Sequence, residues 1–189
     1  MLFNSLSYLF FLFLVIFLFW IVFKSHKIYF LVLASFIFYG FWEPIYLLLI
    51  ISISIADYFI ALKISRSREK KIKKIYLISS IVLNISLLII FKYLYFFTTN
   101  LQYIGFNIDP NNFNFILPLG ISFFTFEAIS YNVDVYRNHF LPEKNYIYYF
   151  CFISFFPKLI AGPILRAKDL IPQFKSLQFS WKNFNIGLR

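Results

Sequence analysis

Apolar residues run along this chain in long blocks rather than in alternation, and short polar interruptions set the block lengths. The first block covers 6–23 and is ended by Lys24, His26 and Lys27. The second, 28–42, stops at Glu43-Pro44; further blocks cover 45–62, 75–97 and 116–136. A helix rising ~1.5 Å per residue needs about 20 apolar residues to cross a bilayer core, so the blocks predict five membrane spans. The second is short, and Tyr39, Phe41 and Trp42 are placed to meet the interface. The amino end has neither a basic lead nor a small-residue cleavage site, so 6–23 reads as a retained span.

The sixth apolar run breaks this regularity. From Tyr146 it lasts eleven residues before Pro157-Lys158. A full crossing would carry Lys158, Arg166, Lys168, Lys175, Lys182 and Arg189 to the face that otherwise lacks basic residues. A broken or re-entrant segment over 146–166 removes the conflict. Irregular backbone is tolerated in a membrane only where protein or a watery cavity covers it, so Gly162-Pro163 is expected to line something. After Arg166 the chain is amphipathic. Ser180 as N-cap, with Trp181, Phe184 and Leu188 at helical spacing, predicts an interfacial helix near the C-terminal end. The fold expected for 1–189 is therefore all-α: a polytopic transmembrane helix bundle forming part of one membrane domain.

Composition agrees with lipid as the solvent. The 189 residues are 61% hydrophobic and only 14% charged, too apolar for a soluble chain of this length to bury. The net charge of +10 is concentrated: seven of eighteen basic residues lie in 63–74, between two apolar blocks. Such clustering marks a cytoplasmic loop and argues against a nucleic-acid binder. With 63–74 cytoplasmic, Lys24 and Lys27 also fall inside, and the amino terminus and the Asn-rich 98–115 loop fall outside.

Candidate chemistry is sparse. Cys151 lies alone in an apolar run, so neither an intrachain disulfide nor a cysteine cluster is available. His26 and His139 sit in short polar connections without metal-ligand neighbours, and no metal site is expected. Charged groups at bilayer depth cost roughly 2.5–3.5 kcal/mol, which singles out Asp57, Glu127 and Asp134. On a helix, Gly120, Glu127, Ser130, Asp134 and Arg137 share about one quadrant. That stripe reads either as a seam against a neighbouring helix, such as the one carrying Asp57, or as the wall of a substrate tunnel. Glu127 is the favoured functional residue of the stripe, and Asp134 with Arg137, three apart, is expected to form a structural pair. Lys92, near a span end, is placed to snorkel. Arg166, after the Gly162-Pro163 break, is placed either to grip a donor phosphate or to anchor the turn at headgroups.

Two stretches go further. Leu117 to Arg137 (LPLGISFFTFEAISYNVDVYR) and Ile153 to Arg166 (ISFFPKLIAGPILR) closely resemble the membrane-bound O-acyltransferase (MBOAT) superfamily, with most likeness to its alginate O-acetyltransferase-like subgroup. Leu2-Phe3-Asn4-Ser5 and Ala34 to Trp42 are also similar. The resemblance implies a helix bundle around a membrane tunnel in the bacterial inner membrane. It implies O-acetylation of a cell-surface or exported polysaccharide, alginate-like or peptidoglycan. The donor would be acetyl-CoA or another cytoplasmic acyl donor, with no bound cofactor. Membrane lipids, the polysaccharide acceptor and a periplasmic or extracellular acyltransferase are the implied partners. The family's catalytic histidine belongs to later segments with no match here, so no catalytic residue is carried over and the chain alone is expected to be inactive. A non-catalytic scaffold and an acyl or glycan-lipid transporter are the competing readings.

Overall fold

The computed structural model describes residues 5–22, 26–41, 43–113, 115–159, 162–178, 180–181 and 185–186. Among them the chain is helical, with no strand. The helices are α1 (Leu6–Ile21), α2 (Lys27–Gly40), α3 (Ile45–Arg66), α4 (Lys70–Leu88), α5 (Leu94–Tyr103), α6 (Ile121–Tyr136), α7 (Tyr146–Ser154), α8 (Phe156–Leu159) and α9 (Ala167–Lys175). A π-helical turn, Ile89–Tyr93, joins α4 to α5 in one continuous helix.

By length and composition, α3 and the continuous Lys70–Tyr103 helix can each cross a membrane. The other expected spans form shorter helices, of 16 residues in α1, 14 in α2 and 16 in α6. Large apolar side chains such as Phe10, Phe13 and Phe17 on α1 are exposed, as lipid-facing positions would be.

Several boundaries differ from expectation for identifiable reasons. The basic block is mostly helical: α3 continues through Arg66, and α4 begins at Lys70. Lysine and arginine are good helix formers, so charge ends a span without ending a helix. The polar loop expected at 98–115 starts six residues later, because Thr98, Thr99 and Asn100 bond back to carbonyls of Leu94, Tyr95 and Phe96 at 2.9, 2.8 and 2.7 Å. Gly105, at φ 101°, then ends the helix in a Schellman turn, with Phe106 N–H donating to Leu101 C=O at 3.1 Å. The expected interfacial helix includes Phe184 and Leu188, which lie outside the described residues; an amphipathic helix occurs earlier, as α9, burying Ala167, Leu170, Ile171 and Phe174.

Two sub-bundles share the core. In the first, α3, α4 and α6 pack around Asp57. In the second, α2 packs on α7 and α8, with α1 and α9 outside them. Phe38 and Phe156 meet at a 5.5 Å ring separation, and Phe11 approaches Phe156 edge-on at 5.4 Å.

Candidate functional site

The turn before α6 is set by Gly120. Its φ of 70° suits glycine, and a Cβ there would lie 2.4 Å from the Leu159 carbonyl oxygen. The start of α6 thus presses directly on the end of α8. That contact joins the two long motifs.

Within the second motif the chain breaks and returns. Helix α7 ends at Ser154, Phe155 leaves helical geometry with ψ 105°, and α8 restarts at Phe156. The amide freed at this break is satisfied from α2: Ser35 Oγ accepts from Phe156 N–H at 3.2 Å. Ser35 in turn donates to the Leu31 carbonyl at 2.9 Å. In apolar surroundings an unpaired amide is costly, so this serine makes the break tolerable.

The return lies along α6 through charge. Lys158 Nζ donates to Glu127 Oε2 at 2.7 Å, with side chains only 5% and 3% exposed. The Lys158 ammonium also lies 4.1 Å from the centre of the Phe152 ring. Further on, Arg166 Nη1 reaches Asp134 Oδ1 at 3.7 Å. Glu127 and Asp134 are two turns apart on one face of α6. Lys158 and Arg166 meet them in the same order, so the return runs parallel to α6. Lys175 Nζ then pairs with buried Glu143 Oε2 at 2.6 Å, tying the end of α9 to the residues just before α7.

A second polar centre joins α3, α4 and α6. Asp57, fully buried, accepts from Ser80 Oγ at 2.5 Å, Asn84 Nδ2 at 2.7 Å and Asn132 Nδ2 at 2.9 Å. Three neutral donors replace the water this carboxylate lost. Asp57 therefore forms a helix seam, but with Asn132, not with the stripe through Glu127.

Of the stripe itself, Glu127 and Asp134 are buried, Ser130 is half-buried and Arg137 is exposed. The expected Asp134–Arg137 pair does not form. Arg137 caps α6 and faces outward, while Asp134 faces the core and meets Arg166 and, at 3.8 Å, His139 Nδ1. Arg166, with its side chain 55% exposed, is thus engaged by a carboxylate. Gly162 lies against Lys158, whose Cα would be 2.6 Å from an added Cβ, and Pro163 is exposed. Cys151 is fully buried, Lys92 exposed, and among the described residues no three of His, Cys, Asp and Glu gather as a metal site. Lys158, Ser35 and Asn132 are the site residues that local spacing missed. For Lys158 the signal was available: a lone lysine in an apolar run, within a chain that also carries a lone apolar-run glutamate.

These features define an all-helical bundle with membrane-length apolar helices and a broken segment held by buried charge. The chain corresponds to the amino-terminal part of an MBOAT-like protein. It is 38% identical, over 99% of its length, to the probable alginate O-acetylase AlgI of Pseudomonas aeruginosa. It is 37% identical, over 84% of its length, to the peptidoglycan O-acetyltransferase of Helicobacter pylori. The probable alginate O-acetylase AlgI of Pseudomonas putida is 36% identical over 99% of the chain. The chain spans only 37%, 34% and 40% of those three relatives, respectively. No family model and no solved structure matches it.

Proposed function

We propose that this chain is the amino-terminal portion of a bacterial inner-membrane O-acetyltransferase that passes acetyl groups through a membrane tunnel to an exported or cell-surface polysaccharide. The observation that carries this reading is the 34–38% identity to proteins named as alginate and peptidoglycan O-acetyltransferases. The amino terminus lies outside, the basic segment 63–74 across the α3–α4 junction faces the cytoplasm, and the donor is a cytoplasmic acyl carrier such as acetyl-CoA. A periplasmic transferase is the partner for the final step.

In this reading 146–166 is re-entrant, and α6 with its return forms one wall of the tunnel, with Glu127, Ser130, Gly162, Pro163 and Arg166 along it. Support comes from the parallel run of the return beside α6 and from the Glu143–Lys175 pair, which brings α9 back to the level at which α7 began. The chain contributes no catalytic base of its own; its role is to hold the wall rigid beside the reacting groups.

Deleting the gene in its own host and measuring alkali-labile acetyl esters on exported polysaccharide and cell wall tests the proposal. Loss of esters from one of these polymers, restored by the intact gene, is the expected result. Unchanged ester content on both would refute it.

A further inference from the structure

We propose that the cleft between the C-terminal end of α3 and the 137–145 connection binds the phosphate of an anionic phospholipid headgroup. The cleft has a volume of about 450 Å³. Arg66, Lys144, Ser65 and Tyr58 supply its charged and hydroxyl lining, and among the described residues no carboxylate lines it. Neither cation forms an ion pair among the described residues. Glu143, adjacent in sequence, is buried and bound by Lys175 and by the Asn145 amide at 3.1 Å. The two positive charges are therefore left for an external anion.

Their relative position is fixed by the fold. Tyr58 Oη donates to the Lys144 carbonyl at 2.5 Å, which pins the connection against α3. Tyr131 Oη accepts from the Glu143 amide at 2.9 Å, which pins the same connection against α6. Arg66 is the last residue of a 22-residue apolar helix whose length matches the hydrocarbon core, so its guanidinium falls at headgroup depth.

The rest of the lining favours a lipid over a soluble phosphate. Leu62 and Pro142 give the cleft an apolar side, and Leu141 at its lip is 80% exposed. A leucine so exposed beside two cations suits an amphiphile, whose phosphate meets the charges while its glycerol and upper acyl carbons cover the apolar side. The bland alternative, that Arg66 only complements the α3 dipole, leaves Lys144 and Leu141 unexplained. The inference requires only that α3 crosses the bilayer and does not depend on acetyl transfer.

The test is reconstitution of the protein into phosphatidylcholine vesicles carrying nitroxide-labelled phosphatidylglycerol or nitroxide-labelled phosphatidylcholine. Spin resonance then gives the motionally restricted fraction of each. Wild-type protein should prefer phosphatidylglycerol, and R66Q and K144Q should each weaken that preference about fivefold. The exposed pair K70Q/K71Q should leave it within about twofold, and R66K/K144R should retain it. Lys144 lies in an exposed connection, so K144Q alone decides the matter if R66Q does not fold. Equal loss in K70Q/K71Q overturns the site, because diffuse charge then suffices. Absence of any preference, or displacement of the labelled lipid by excess inorganic phosphate, also overturns it.

Discussion

Lys158 Nζ donates to Glu127 Oε2 at 2.7 Å across 31 residues of sequence, with both side chains almost sealed from solvent. Each charge makes the other tolerable at this depth, and together they fix the height of the return against α6. Removing one partner leaves a buried charge alone. Lys158→Met should therefore destabilise the folded protein by ~3–5 kcal/mol, while the double variant Glu127→Gln/Lys158→Met should recover most of that loss. Detergent-denaturant unfolding of both variants measures the difference, and equal stability of the single variant and wild type would remove the pair from the account of the fold.

Gly120 and Gly105 offer a paired test of backbone conformation against crowding. Both have positive φ, but an added Cβ at Gly105 meets nothing within 4 Å, whereas at Gly120 it meets the Leu159 carbonyl oxygen at 2.4 Å. Gly105→Ala should cost only the conformational penalty, about 1 kcal/mol. Gly120→Ala should cost clearly more and lower the midpoint of unfolding further. The same midpoint for the two variants would show that the α6–α8 contact relaxes freely.

The Asp57 centre predicts strong coupling between helices. Asp57→Ala should remove the acceptor of Ser80 and one acceptor each of Asn84 and Asn132, which keep the Ser80 and Ala128 carbonyls, at a cost of ~1–3 kcal/mol for each group left unsatisfied. A double-mutant cycle of Asp57→Ala with Asn132→Ala should give an interaction energy within ~0.5–3 kcal/mol. Additive effects would mean that α6 does not depend on Asp57 for its place.

Membrane topology is open to direct measurement. With Cys151 replaced by Ala, a cysteine at Lys71 should be labelled by an impermeant maleimide only from the cytoplasmic side, and one at Gly105 only from the opposite side. Labelling of both from one side would contradict the crossing of the Lys70–Tyr103 helix. In the unaltered protein, the fully buried Cys151 should resist the reagent until unfolding.

Arg166 separates strut from substrate contact. In a full-length relative, replacing the equivalent arginine with Gln should impair acetyl transfer on the tunnel-wall reading. Replacing the partner of Asp134 in this way should also loosen the return, so expression and unfolding are measured alongside ester formation. Full activity with altered stability would make Arg166 a strut only.

The block pattern reveals the helices well because lipid rewards uninterrupted apolar runs, and α3 begins at Ile45 as that pattern implies. Helix ends are read less well. Lys63 to Arg66 and Thr98 to Asn100 look like loop by polarity but satisfy their needs within a helix. Pairings are read least well. Neighbour spacing offered Arg137 to Asp134, yet the partner that reaches it is Arg166, from a segment that only the return of the chain brings near. Ser35 shows the same limit: its role exists only because an amide 121 residues later is left free. Local rules describe a helix surface, and these contacts belong to surfaces that meet only after folding.

The Asp57 centre also gives synthesis of this protein a direction. When α3 first meets the bilayer, its carboxylate has no partner and resists entry. Helix α4 follows after a three-residue connection and brings Ser80 and Asn84, two of the three donors. The α3–α4 hairpin is thus the smallest unit that enters with its charge largely satisfied. Asn132 arrives much later on α6, which gives the hairpin a waiting place for that helix rather than a finished surface. A hairpin made first would offer α6 a polar seat at Asp57 and Ser80, and the helix that takes it carries the Glu127 face.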